Sequence, residues 1–470
     1  MNLLKRVLQR LRSTRHSKTS KDLSTKDTAS KSTIDASLDE VVRPDREDLV
    51  IGLDFGTAFT KVVVSNGLYH WAVPFPDQND KESYLLPSIL SRKSGELCLV
   101  SDFDTNELEA DIDNIKLSII KGDRSLDVRA SASAYLALVF RHVRKWVKAN
   151  VPLRSHVTPY WMINVGLPTD SYVDQELQDL YRDVTYKAWL ASCSNDPIVL
   201  DDLKKMIAAT SDALGNITDT LGEYEISSEN VNVFPEFVAQ LTGYLDADQR
   251  EDGIHILFDV GSGTTDCTAF NLGKNKGEEE FEIIVKSVET LGVRFLELRR
   301  QNMPGANPWL PGLLQDLPDD KRYASKLGVN VSVLQNHDKD FRRSVHQQLS
   351  RTVRKTTNGG RAATGPVLGI PIFLCGGGAR TEFYKNIAEQ AVINGKRHKS
   401  WILKLKTLDK PNNLQAPNLL SQDYDRLSVA YGLSLDPFNI GNIIEHQQRK
   451  EDSRKPLPSW EDNYVSKDQV

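Results

Sequence analysis

Two stretches of this sequence follow the same pattern, and that pattern limits how the chain can fold. Residues 50–64 read VIGLDFGTAFTKVVV and residues 256–266 read ILFDVGSGTTD. In each, an apolar run ends at an aspartate, a glycine follows two positions later, and hydroxyl-bearing residues come next. Apolar, β-branched runs of this length are typical of buried strands, and glycine permits the tight turn between them. Each stretch is therefore predicted to be a hairpin with a carboxylate near its tip.

The residues that follow the two hairpins repeat one order of elements. After each hairpin come a third predicted strand, helices and a further strand. A repeat of this length is too long for a solenoid and indicates an internal duplication. The sequence therefore predicts two α/β lobes with a cleft between them, over residues 48–248 and 249–436. We expect an arm over residues 1–47 and a polar tail over residues 437–470.

Composition is typical of a globular protein. The 470 residues are enough for two or three domains, and 39% of them are hydrophobic and 26% charged. No run of 18 apolar residues and no secretory signal pattern is present in the sequence. The cysteines are far apart, without the spacing of a zinc site or a disulfide framework, which predicts a reducing cytoplasm. They are Cys98, Cys193, Cys267 and Cys375.

Charge is unevenly distributed along the chain. Residues 1–21 hold seven of the 59 basic residues and none of the 64 acidic ones, so the remainder carries a net charge of −12. Proteins that bind nucleic acid use clustered basic residues to neutralise phosphates. An acidic body therefore argues against nucleic acid as its main ligand.

The arm has two parts. Leu3, Leu4, Val7, Leu8 and Leu11 fall on one face of a predicted helix whose other faces carry arginines. Residues 13–37 contain twelve Ser/Thr and few large apolar residues, which predicts a disordered tether. Three interpretations of the helix stay open: peripheral membrane or partner contact through residues 1–12, a solvated arm, or a transit peptide.

The two predicted hairpin tips and a third glycine cluster suggest a phosphate site. Backbone N–H groups beside glycine, together with hydroxyls, can surround phosphate oxygens, and carboxylates can hold Mg²⁺ through its waters. FLCGGGAR at residues 373–380 lies where a strand leads into a helix, a place suited to close approach by adenine and ribose. One such loop is often only a turn, and one glycine cluster only a crowded junction. All three in this order favour a nucleotide site.

These motifs resemble those of the actin-like ATPase superfamily, which includes actin, the 70-kDa heat-shock chaperones and the sugar kinases. The closest likeness is to the chaperones' nucleotide-binding domain. IGLDFGTAFTKVVV and FDVGSGTTD resemble its two phosphate loops, CGGGAR its adenosine motif and VAYGLSL its second connecting helix. NIKLSIIKG, FPEFVAQLTGYL and ETLGVRFLE resemble its lysine segment, its first connecting helix and the start of its second lobe. The likeness spans residues 48–436 and implies two ribonuclease H-like lobes flanking a nucleotide cleft.

The resemblance implies roles for individual residues. The phosphate contacts would be Gly56, Thr57, Gly261, Ser262, Gly263 and Thr264. The carboxylates holding hydrated Mg²⁺ would be Asp54, Asp259 and Asp266. The adenosine contacts would be Gly376, Gly377 and Arg380, with the arginine stacked on the base. The catalytic residues would be Lys116, Glu236 and Asp266, with Glu236 orienting the attacking water.

The chain also departs from the chaperone pattern. The order of the first connecting helix is Pro-Glu rather than Glu-Pro, and the aspartate before VAYG, Asp425, lies one residue nearer to it. Lys61 stands where actin and sugar kinases tend to carry a phosphate-loop lysine, so it competes with Lys116; we assign catalysis to Lys116 and phosphate contact to Lys61. The basic helix at residues 341–355 falls where the chaperones clamp adenine, with Arg342, Arg343 and Ser344 as weaker candidates than a plain charged surface.

The implied function is Mg-dependent hydrolysis of ATP, with lobe closure as a conformational switch for a protein partner. After Leu435 only 35 residues remain in this sequence, so we expect no peptide-binding domain in this chain. One alternative is a filament-forming ATPase of the partitioning or cell-shape type, which Lys61 favours. The other is a small-molecule kinase, for which no substrate constellation is evident in the sequence.

Overall fold

The chain is a mixed α/β protein in a computed structural model. The structure describes residues 46–75, 81–100, 110–154, 157–209, 226–245, 247, 249–275, 278–309, 317–358, 369–397, 402–440 and 442–445. The predicted amphipathic segment and tether, through residue 45, lie outside these ranges, so their predictions are not tested.

The first predicted hairpin lies at the centre of a seven-stranded sheet. Its strands are β1 (Arg46–Phe55), β2 (Phe59–Ser65), β3 (His70–Ala72), β4 (Leu86–Pro87), β8 (Thr158–Leu167), β9 (Val231–Pro235) and β15 (Leu414–Gln415). The order is β15–β3–β2–β1–β8–β9, with β4 also paired to β2. β1 pairs antiparallel with β2 and parallel with β8. A small sheet beside it contains β5 (Leu90–Lys93), β6 (Glu96–Leu99) and β7 (Ala110–Ile112).

The second predicted hairpin lies at the centre of a six-stranded sheet. Its strands are β10 (Gly253–Val260), β11 (Thr265–Asn275), β12 (Glu278–Glu289), β13 (Ile370–Cys375), β14 (Leu403–Lys406) and β16 (Asn442–Glu445). The order is β14–β13–β10–β11–β12–β16. β10 again pairs antiparallel with the next strand and parallel with a later one. The series β3–β2–β1–β8–β9 and β12–β11–β10–β13–β14 therefore have the same arrangement.

Helices cover the sheets and connect them. They are α1 (Ile115–Ile120), α2 (Leu126–Asn150), α3 (Thr169–Tyr172), α4 (Gln175–Ser192), α5 (Leu200–Ile207), α6 (Glu236–Leu245), α7 (Val293–Gln301), α8 (Asp320–Leu327), α9 (Val331–His337), α10 (Lys339–Asn358), α11 (Glu382–Arg397) and α12 (Ser428–Leu433). Ser125 begins the longest, α2, by accepting a hydrogen bond from the Val128 amide. None of the helices in the described ranges is both long enough and apolar enough to cross a membrane.

Helices α6 and α12 join the two halves of the protein. A shared apolar cluster contains Val63 of the first sheet, Phe270 of the second, Leu241 of α6 and Tyr431 of α12. The two helices cross so closely that a Cβ on Gly432 would lie 1.9 Å from the carbonyl oxygen of Ala239. Glycine is therefore required at this crossing.

Two short strands differ from the expected division of the chain. β15 lies within the predicted second lobe but extends the first sheet beside β3. β16 lies within the predicted polar tail but pairs with the edge strand β12. Within the predicted tail, FNIGNII supplies this strand, and Ile440 is buried in the shared cluster.

Candidate functional site

The two hairpins place charged side chains at matching positions. In the first, Asp54 lies opposite Lys61, and in the second, Asp259 lies opposite Asp266. The Lys61 ammonium donates to an oxygen of Asp54 at 2.8 Å. Both hairpins therefore carry a carboxylate at the end of the first strand, and they differ in the group facing it.

The loops at the two tips face each other. An ideal Cβ on Gly263 would have the Thr57 methyl group as its nearest neighbour, at 3.9 Å. The amide of Gly56 bonds back to the Asp54 carbonyl, and that of Gly261 bonds to the Thr264 carbonyl. These two bonds close the turns.

Other amides of the two loops have no partner in the described part of the chain. These are the amides of Thr57, Ser262 and Gly263. Gly263 is buried, and Thr57 and Ser262 are partly exposed. Unpaired N–H groups are uncommon where the backbone is buried. Facing loops with unused N–H groups are therefore suited to an anionic ligand such as a phosphate.

The structure brings together the two predicted catalytic residues Lys116 and Glu236. The Lys116 ammonium, on α1, is buried and forms an ion pair with the Glu236 carboxylate at the start of α6. Burial alone would lower the pKa of Lys116, but the negative charges of Glu236 and Asp54 raise it above its ordinary value. Lys116 is therefore held in its charged form near the tip of the first hairpin.

Asp259 lies within the electrostatic reach of the same groups. Burial, followed by the carboxylates of Glu236 and Asp54, raises its pKa to about 7 in spite of the lowering effect of the Lys61 ammonium. One region between the sheets thus contains three carboxylates and two ammonium groups. They are those of Asp54, Glu236, Asp259, Lys61 and Lys116. A cation or a proton at this point would relieve the repulsion among the carboxylates.

The third glycine cluster adjoins the second hairpin. Cys375, the last residue of β13, is the register partner of Asp259. Gly376 follows with φ of 82°, and a Cβ there would lie 2.1 Å from an Asp259 carboxylate oxygen, so only glycine is accommodated. A Cβ on Gly377 would meet no atom within 4 Å. The chain therefore leaves open space beside Gly377 for a ligand.

Arg380 is held by two carboxylates that precede α12. Its guanidinium forms an ion pair with Asp423 and another with Asp425, the latter at 2.9 Å. These contacts fix the edges of the guanidinium, and its predicted stacking on a base stays a prediction. The carboxylate of Asp425 is thus paired with Arg380.

The basic helix α10 contributes one of its three weaker candidates to a cavity. A polar cavity of about 620 Å³ is lined by Arg342 and by Glu382, two residues after Arg380. Arg342 also lies over the ring of Phe383. Arg343 and Ser344 instead bond to Asp340 of their own helix, so the structure does not bring them to this cavity.

Two residues near the hairpin tips were not predicted. Gln240 lies one helical turn after Glu236, is buried and hydrogen-bonds Asp259. Gly166 lies at the end of β8, where a Cβ would be 2.8 Å from Cγ of Glu236. The four-residue spacing from Glu236 is a sequence signal for Gln240. Gly166 had no comparable signal, because its neighbour is distant in sequence.

The part of the chain that the structure describes shows no cluster for direct metal coordination. Among the described residues, no group of three or more His, Cys, Asp or Glu side chains is placed to hold a metal ion. The predicted contacts of Asp54, Asp259 and Asp266 with Mg²⁺ run through water, so they stay a prediction. The excess of negative charge around Asp259 fits a hydrated cation, since Mg²⁺ keeps several of its waters.

Comparison with known proteins adds no family to these observations. No protein-family model matches the chain, and no curated protein matches it.

Proposed function

We propose that this chain binds Mg-ATP between the two hairpin loops and hydrolyses it. The observation that carries the proposal is the facing pair of loops with unused amides, beside the buried Lys116–Glu236 pair. We further propose that the protein is an actin-like ATPase, similar to the heat-shock chaperones' nucleotide-binding domain. The repeated order of strands in the two sheets supports two ribonuclease H-like lobes.

The phosphates would bind to the free amides of the two loops, with the hydroxyls of Thr57, Ser262 and Thr264 as further donors. Asp54, Asp259 and Asp266 would hold hydrated Mg²⁺, which neutralises phosphate charge. Adenosine would lie beside Gly376 and Gly377, and the chain leaves open space at Gly377.

Charge and position account for the proposed chemistry. Phosphoryl transfer to water needs little covalent participation by the protein, and catalysis comes from orientation and charge stabilisation. The Lys116 ammonium would stabilise the negative charge of the transferred group. The incoming phosphates compete with Glu236 for Lys116, and this frees the carboxylate to orient the attacking water. Asp266, opposite Asp259, would polarise the same water.

The proposed output is a change in the angle between the two sheets. Ligand held by loops of both sheets would favour a closed state, and product release would favour an open one. The switch would act on a protein partner in the cytoplasm. The four cysteines, all free thiols, support a reducing compartment.

Phosphate release from Mg-ATP tests the proposed activity. Asp266→Asn preserves the shape of the side chain and removes its charge, so turnover should fall about 100-fold, as for loss of one charge-stabilising group in other enzymes. Asp409→Asn is the matched control, because Asp409 is exposed outside the site. Equal turnover in the wild type and Asp266→Asn would contradict this assignment.

Filament formation is the second candidate function, and the position of Lys61 favours it. Lys61 contacts Asp54 at the tip of the first hairpin, the place of the phosphate-loop lysine in actin-type proteins. Sedimentation velocity separates the two functions. Polymer that forms with Mg-ATP and disappears with Mg-ADP would support a filament. A constant mass with a change in sedimentation coefficient would support a switch.

A further inference from the structure

The second hairpin loop is bonded to the start of helix α7. The amides of Gly292, Val293 and Arg294 donate to the carbonyls of Gly263, Gly261 and Ser262, at 3.3, 3.1 and 2.9 Å. The first N–H groups of a helix have no partner within the helix, so the loop carbonyls satisfy them here. The loop and the backbone of Arg294 therefore form one hydrogen-bonded unit.

The side chain of Arg294 extends from this unit to the helix that carries Lys116. Its guanidinium donates to the side-chain oxygen of Asn114 at 2.8 Å and lies 3.6 Å from a carboxylate oxygen of Asp113. Asn114 directly precedes α1 and has a left-handed backbone, with φ of 56°. Glu297, one turn along α7, is also near enough for Arg294 to lower its pKa, which burial raises.

Helix α1 needs support from outside itself. It has six residues, and no side chain caps its first turn. Helices this short are not stable alone, so packing and end contacts set their position. Ile115 and Ile119 pack into the core, and the Arg294–Asn114 bond holds the end of the helix. Lys116 is two residues from that bond.

We propose that Arg294 is a positioning residue that couples the second phosphate loop to Lys116. The proposal rests on the proposed ATPase function. When ligand moves the Ser262–Gly263 loop, Arg294 moves with it and carries the start of α1, so the Lys116 ammonium is oriented only when the loop is in its bound position. Arg294 touches neither substrate nor the reacting atoms in this account.

Three variants test the coupling. Arg294→Ala removes the bond, Arg294→Lys keeps a charge without the planar donor, and Asn114→Gly removes the acceptor but still accepts a left-handed backbone. Arg92→Ala, which replaces an exposed arginine of β5, is the matched control. The readouts are kcat and KM for Mg-ATP, and amide hydrogen exchange of residues 115–120 without nucleotide.

Loss of one charge-assisted hydrogen bond at a partly exposed place should lower kcat about 3- to 10-fold. KM should stay within about twofold, since orientation of Lys116 affects the transition state more than binding. The kcat of Arg294→Lys should lie between those of the wild type and Arg294→Ala. The double variant Arg294→Ala with Asn114→Gly should lose no more kcat than either single variant. Exchange of residues 115–120 should be about 3- to 10-fold faster in Arg294→Ala.

The proposal is overturned if kcat and amide exchange of Arg294→Ala match those of Arg92→Ala. It is also overturned if the fold-losses of kcat in Arg294→Ala and Asn114→Gly multiply in the double variant. Wild-type protein without turnover would overturn the proposed function instead. The exchange measurement needs no nucleotide. It therefore decides whether Arg294 holds α1 even if the wild-type protein shows no turnover.

Discussion

Replacement of Lys116 and Glu236, singly and together, gives a quantitative test of the ion pair at the centre of the site. Lys116→Met removes the ammonium and leaves Glu236, Asp54 and Asp259 in one region with the ammonium of Lys61. Breaking a buried pair costs about 3–5 kcal/mol. The Glu236 side chain is 20% exposed, which places the expected loss near 3 kcal/mol.

The other two variants should behave differently. Glu236→Gln leaves the ammonium of Lys116 with Asp54 nearby and a neutral acceptor, so we expect a loss of about 2 kcal/mol. Removing both charges avoids an unpaired buried charge, and the double variant should lose about 3 kcal/mol rather than the sum. The coupling is then about 2 kcal/mol, within the range for residues in contact.

Urea unfolding followed by circular dichroism measures all four free energies, with equal m-values as the check that the unfolded state is unchanged. Lys121→Met is the control, because Lys121 is an exposed lysine just after α1 and should change stability by less than about 0.5 kcal/mol. If the losses in free energy of unfolding are additive, with a coupling below about 0.5 kcal/mol, the buried ion pair of Lys116 with Glu236 is refuted.

Two further predictions concern stability. Burial lowers the pKa of His255 from 6.5 to about 4, so the unfolded chain binds a proton that the folded chain does not as pH falls between these values. Stability should decrease by about 2 kcal/mol from pH 7 to pH 5 through this group, and His255→Gln should reduce that decrease in urea unfolding at the two pH values. Asp338 is buried against Arg300 in the second half of the chain, and Asp338→Ala should cost about 3–5 kcal/mol in thermal or urea unfolding. Asp340→Ala, at an exposed position of α10, should cost little, and equal losses in both would contradict the buried pair.

Local sequence patterns were enough to predict the hairpins and their tips. Apolar runs that end in Asp-x-Gly depend on neighbouring residues alone, so β1, β2, β10 and β11 were expected in their places. The pairing of Lys116 with Glu236 joins residues 120 positions apart. That proximity was implied only by the resemblance, since no spacing rule relates the two residues.

Features that depend on distant partners could not be predicted. β15 has two residues and β16 has four, and each exists because an edge strand of a sheet offers unpaired backbone groups. The pairing of Arg380 with Asp423 and the contact of Arg294 with Asn114 both depend on how helices and loops pack. No pattern in the sequence predicts which residue a charged side chain such as these will contact.

Calorimetric titration of Mg-ATP into the wild type and Gly263→Ala tests the central claim most directly. A Cβ at this position fits the folded chain at ordinary contact distance from Thr57, but it occupies the gap between the loops. We expect one nucleotide per wild-type chain and at least about tenfold weaker binding by Gly263→Ala, a loss of about 1.4 kcal/mol. Gly273→Ala, in β11 with open space around it, should bind as the wild type does. Absence of saturable binding by the wild type, or equal affinity in all three proteins, would contradict a phosphate site between the loops.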